Sequence, residues 1–236
     1  MRQASDNLPR RPLVFITAIA IGSLACMAQS DQDVDSLRRA FRSPQNDTAY
    51  ASTAYYLARQ HFFAGRADST QRISALGLDR IQNNEAPRAI HWKTQLWRIR
   101  GMGWHSSSRF DSAIVAFQHM YRFAERLKAT KDMGAALSYQ GFALREMGDS
   151  ASALDMVHRA VRVLGGTAPG PDIANAYHEL GILHDEVGDT DSAVYWFGRA
   201  AAFYRAQHND HHLLNTYINI AEALSNARRW AEADSM

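Results

Sequence analysis

Residues 177–200 read YHELGILHDEVGDTDSAVYWFGRA, and the reading of this stretch decides the fold. Two histidines among several carboxylates give its first half the look of a metal site. A metalloprotease helix sets its histidines at i and i+4, about 40° apart around the axis, so that both reach one ion. Here His178 and His184 are six residues apart, which on a helix separates them by roughly 120°. They point to different faces and cannot easily share a metal. The spacing suits scaffold better. Tyr177, Leu180 and Gly181 pack a first helix, Gly188 suits the left-handed position past its end, and Asp189 or Thr190 caps a second helix. Ala193 and Phe197 seat that second helix against the first.

The same plan recurs along the chain. Gly101, Gly141, Gly181 and Ala221 fall forty residues apart, each in an apolar helical pattern. Twelve residues after each comes an alanine, at Ala113, Ala153, Ala193 and Ala233. Four further on lie Phe117, Val157 and Phe197, and four before each small residue lie Trp97, Leu137, Tyr177 and Tyr217. A weaker copy precedes them: Ala58, Gly65 and Asp68-Ser69 keep the register, while Thr70 and Ser74 replace the alanine and phenylalanine. Earlier still, DSLRRAF at 35–41 echoes DSAIVAF at 111–117 and reads as a leading helix. Pro44, Pro87, Pro169 and Pro171 all fall between the expected hairpins, where proline can start a helix. No strand alternation competes, so the chain reads as all-α.

A large aromatic, then small residue, aromatic, alanine, aromatic and alanine at these offsets resembles the tetratricopeptide repeat. In one unit the matching residues are Tyr177, Leu180, Gly181, Ala193, Phe197 and Ala200. The usual period is about 34 residues; forty implies longer helices or linkers such as GGTAPGPD. His184 stands where an aromatic is common, and the late proline of the family is missing. The resemblance implies a right-handed α-α superhelix of about five hairpins over residues 48–236, after a leading segment at 29–47, with the first helices lining a concave face. The chain stops a few residues into its last second helix, which suggests a repeat cut short and a fragment of a longer protein.

The start, MRQASDNLPRRPLVFITAIAIGSLACMAQ, joins a basic segment to an apolar run from Leu13 to Ala25, with small residues at Cys26 and Ala28. It reads as a secretory signal peptide over residues 1–28. A retained anchor is the alternative, although the run is shorter than the ~20 residues needed to span a bilayer. A lipid on Cys26 is another, since SLAC resembles a lipobox with Ser23 where a large aliphatic residue belongs. Cys26 is the chain's one cysteine, so cleavage after Ala28 would leave neither disulfides nor thiolate chemistry. Three of the 26 basic residues and one of the 24 acidic ones lie in that segment. The remainder carries 23 of each and has no bulk charge to draw it to nucleic acid or an anionic membrane. A membrane link is expected only through such an anchor or a missing downstream segment.

This start, followed by DSLRRAFRSPQNDTAY and long repeats, is similar to the exported front end of some bacterial sensor kinases and signalling proteins. That likeness implies a sensor or scaffold in the periplasm or cell envelope. No nucleophile elbow, phosphate loop or dinucleotide turn is present, so neither enzyme nor cofactor is expected. The cluster HNDHH offers His208 and His212 as weak metal ligands, at i and i+4 if helical, with Asp210 adding an oxygen. A solvated linker is the plainer reading, and a metal- or small-molecule-binding receptor is the functional alternative.

By family analogy the inner faces of the first helices hold the partner-binding residues. Over the first two units these are Tyr55, Arg59, Phe62, Arg98, Met102 and His105. The later units add Ser138, Phe142, Arg145, His178, Ile182 and Asp185, then Asn215, Ile218 and Glu222. Such a mixture of aromatic and polar groups suits a protein or peptide ligand, though many helical faces share it. The lysines and asparagines of the family's carboxylate clamp are mostly replaced here, so chaperone C-termini are not the expected ligands.

Overall fold

The computed structural model describes residues 30–43, 46–166 and 170–234, and every regular element among them is an α-helix. The expected signal peptide, Cys26, Pro44 and Pro169 lie outside the described residues. A leading helix α1 (Ser30–Arg42) is followed by five hairpins. They are α2 (Asp47–Phe63) with α3 (Ala67–Arg80), α4 (Pro87–Ser106) with α5 (Phe110–Arg126), and α6 (Thr130–Glu146) with α7 (Ser150–Leu164). The last two pair α8 (Pro171–Glu186) with α9 (Thr190–Ala206), and α10 (Asp210–Asn226) with the short α11 (Trp230–Ala233).

The turn chemistry explains where helices stop and start. Gly148 and Gly188 close α6 and α8 in the left-handed region, at φ +83° and +81°, a conformation that costs glycine nothing. The next residue caps the following helix: the Asp149 side chain accepts from the Ser152 amide at 3.1 Å, and Asp189 from Ser192 at 3.2 Å. Turns between hairpins reuse this geometry without glycine, with Lys128 and His208 at φ +53° and +51°. Pro87 and Pro171 open α4 and α8 at their first turns, where a missing amide hydrogen is harmless.

Within each hairpin, small residues let the helices close. A methyl group built at Gly181 would lie 2.4 Å from Cδ1 of Phe197, and one at Gly101 2.4 Å from Cε1 of Phe117. Phe117 and Phe197 are each 1% exposed; burying a side chain of this size contributes about 2 kcal/mol. At Gly141 the opposing group is Val157. In the weaker first hairpin, Thr70 and Ser74 occupy the alanine and phenylalanine slots and are fully buried. They are satisfied internally, Thr70 Oγ1 donating to the Arg66 carbonyl at 3.1 Å and Ser74 Oγ to Gln71 at 3.0 Å.

Between hairpins, each second helix packs on the next first helix. The α7–α8–α9 layer gathers Leu164, Ile173, Tyr177, Ala200 and Tyr204. First helices of successive hairpins also touch one another, whereas among the described residues successive second helices do not. The row of first helices is therefore the inner, shorter side of the curve. Each hairpin meets only its neighbours, the arrangement of a solenoid. No helix among the described residues is long and apolar enough to cross a membrane.

Candidate partner-binding face

The forty-residue period turns positions on the first helices into columns that run along the inner side. Met102, Phe142 and Ile182 form one column, each half-buried, before Glu222 continues it exposed. Beside it runs the column His105, Arg145 and Asp185, also half-buried. On the other side lie Arg98, Ser138, His178 and Ile218. An apolar stripe is thus bordered by polar ones.

The polar columns are cross-braced between units. Arg98 donates to the Tyr139 hydroxyl at 2.9 Å, and Asn219 Nδ2 donates to His178 Nε2 at 3.0 Å. Each pair joins residues 41 apart. Between them, Arg145 Nε donates to Glu179 Oε1 at 2.6 Å, with Glu146 and Glu186 at its other nitrogens. Glu179 is 1% exposed; burial pushes its carboxyl above the usual range while Arg145 pulls it back. Burial alone would lower the Arg145 pKa, but the carboxylate of Glu179 more than offsets this, and the guanidinium stays charged. His178 is pressed down to about 4, by burial first and then by His212 and Arg145. A neutral ring accepting at Nε2 carries its proton on Nδ1.

The remaining residues of the expected face are placed as follows. Tyr55 is half-buried with its ring 5.9 Å from Trp92, and Arg59 is exposed over the Phe63 ring. Phe62 packs on the core of the first hairpin. His105 sits edge-on to Phe110, its Nε2 buried without a partner. Phe142 lies edge-on to Tyr139, and Ile182 packs against the cluster built on Phe197 and Ile220. Asn215, Ile218 and Glu222 of α10 are exposed. Residues expected as free contacts are therefore of two kinds. Arg98, Arg145 and His178 spend hydrogen bonds joining adjacent units, while Met102, Phe142, Arg59 and the α10 residues show surface to the groove. Tyr139, Glu179 and Asn219 were not expected at this face; with Ile99 they form a forty-residue column of their own, the signal that would have found them.

His208 and His212 do not share a helix, which corrects the i, i+4 expectation. His208 takes the left-handed position that ends α9, and the Asn209 side chain caps α10 by accepting from the His212 amide. The His212 ring stacks on Tyr204 at 5.0 Å. Among the described residues no cluster of three metal-ligating side chains occurs.

Stacked hairpins with first helices inward, each closed by a small residue and two of them by glycine set against a buried aromatic, define a tetratricopeptide-repeat solenoid. Residues 132–206, the third and fourth hairpins, match the tetratricopeptide repeat family model. Among solved structures the chain is similar to BtubC (BKLC) from P. vanneervenii, with TM-score 0.72 and 17% identity over 89% of this chain and 85% of that one. It is also similar to PH0952 from Pyrococcus horikoshii, a signal transduction ATPase with numerous domains carrying a tetratricopeptide repeat sensor. There the TM-score is 0.73 and the identity 11%, over 88% of this chain and 33% of that one. A Rap protein complexed with Competence and Sporulation Factor matches with TM-score 0.66 and 13% identity, over 88% and 70% of the two chains. At such identities the likeness is one of fold. No curated protein matches the chain.

Proposed function

We propose that this chain is a non-catalytic scaffold that binds a protein or peptide segment along its inner face. We further propose that it does so in a bacterial cell envelope, as the sensor or interaction region of a signal-transduction protein. The observation that carries the binding reading is the half-buried apolar column Met102–Phe142–Ile182 between two polar columns. A segment laid along it would bury apolar side chains centrally and lie beside the half-buried polar side chains of the flanking columns, such as Arg98 and Asp185. Two similar folds support the setting: a Rap protein complexed with a factor, and a signal transduction ATPase whose repeats are a sensor. The basic and apolar start of the chain supports export.

Selection of a random-peptide display library on the purified chain tests the binding reading. Selected peptides should lose affinity for Phe142→Glu and keep it for Tyr195→Glu, an exposed position on the second helix α9. Retention by the first variant would overturn the inner-face assignment. For export, the chain recovered from a bacterial envelope should begin at Gln29; recovery of an intact amino terminus from the cytoplasm would oppose it.

A further inference from the structure

The amino-terminal end of the solenoid carries a cavity that the partner-binding face does not use. Helix α1 packs on α2 but stands away from α3, and the gap between the three helices is a solvent-open cleft of about 390 Å³. That is within the ~300–1,000 Å³ usual for small-molecule sites. Phe41, Leu57, Ile73 and Leu76 supply its apolar lining. Leu57 and Ile73 belong to the buried core, whereas Leu76 is 45% exposed and keeps the mouth apolar. The polar lining is basic throughout: Arg38 and Arg42 from α1, His61 from α2 and Arg72 from α3, with no carboxylate among the lining residues.

Elsewhere in the chain arginines at helix junctions meet acids, as in Arg80–Asp47, Arg145–Glu179 and Arg229–Asp191. Around this cavity, Arg42 and Arg72 form no ion pair among the described residues. His61 Nδ1 is buried without a hydrogen-bond partner. Its ring is pushed towards neutrality by burial first, and then by Arg66, Arg38 and Arg72. Arg42 and Arg72 are thus two exposed guanidiniums at the cavity with no acid paired to them among the described residues. A guanidinium fork matches the paired oxygens of a carboxylate or phosphate. An uncharged apolar guest would gain nothing from Arg42 and Arg72, and a cationic one would be repelled.

We infer that the α1–α2–α3 cavity binds an amphiphilic anion, its apolar body on Leu57, Ile73 and Leu76 and its carboxylate or phosphate head against Arg42 and Arg72. The occupant would brace α1 against α3, two helices that otherwise do not meet.

Octanoate, octyl phosphate, octanol and octylammonium added separately to the full chain test this, read by thermal midpoint and by NMR titration of the His61 ring. Octanoate or octyl phosphate should raise the midpoint and perturb the His61 ring resonances, and the tighter of the two identifies the head group. Octanol and octylammonium should do neither. Arg72→Glu, a change at an exposed side chain, should weaken anion binding by roughly 10- to 100-fold with the circular dichroism unchanged. Leu76→Lys provides a second variant that removes the apolar mouth and should likewise lose affinity. Failure of both anions to bind, an equal response to octanol, or undiminished binding by Arg72→Glu would each overturn the assignment.

Discussion

Glycine at two positions of the fourth hairpin shows how much this fold asks of single residues. Gly181 faces the Phe197 ring across the fourth hairpin, whereas Gly198, in the middle of α9, has no neighbouring atom within 4 Å of where a methyl group would stand. The same substitution should therefore have opposite signs. Gly198→Ala gains helix propensity and should stabilise by about 0.5–1 kcal/mol. Gly181→Ala makes the same local gain but forces a packed ring aside, for a net loss of about 1–2 kcal/mol. Chemical denaturation of the two variants checks both; a stabilised Gly181→Ala would mean the hairpin has slack. His178 gives a second prediction at this scale. Its folded pKa of about 4 lies below the ordinary 6.5, so below 6.5 the unfolded chain takes up a proton that the folded chain refuses. Stability should fall as pH drops from 6.5 towards 4, with a slope from this residue of about 1.4 kcal/mol per pH unit. His178→Gln should flatten that slope; an unchanged slope would assign it to other groups.

At the scale of the element, the hairpin was legible before any coordinates. Small residue, turn, cap, alanine and aromatic are local features, and their forty-residue recurrence places Gly181 against Phe197 without knowledge of the neighbours. What joins one hairpin to the next was less legible. The columns follow from the period, but the braces Arg98–Tyr139 and His178–Asn219 run diagonally, one residue off the column. That offset depends on how far each hairpin is rotated on the last, which no single repeat encodes. For the same reason nothing in its own repeat marks Glu179 as buried, since its partner Arg145 lies one hairpin earlier. His208 misled differently: its i, i+4 spacing to His212 presumes one continuous helix, and the turn after α9 uses a non-glycine residue in the left-handed region. The brace itself is testable. Arg145→Met leaves Glu179 buried without its cation and should cost about 3–5 kcal/mol, much of it recovered in the double variant with Glu179→Leu. A single variant as stable as the parent would show that water already reaches the carboxylate.

For the whole molecule, contact between neighbours alone predicts graded stability. The central hairpins α6–α7 and α8–α9 are covered on both sides, while α10 leaves Leu214 61% and Ile218 45% exposed and α11 has no buried residue. Amide exchange of the 236-residue chain should be slowest in α6 to α9 and fastest in α1, α10 and α11. Uniform protection would indicate that the ends are covered by contacts beyond the solenoid itself. The groove that gives the molecule its proposed purpose is also a property of the whole, since no single hairpin contains an apolar stripe with polar borders. Its most direct test is the exchange footprint of a display-selected peptide on the intact chain. Added protection should fall on the inner first helices α4, α6 and α8, around Met102, Phe142 and Ile182. Protection confined to the outer helices α5, α7 and α9 would contradict binding along the inner face.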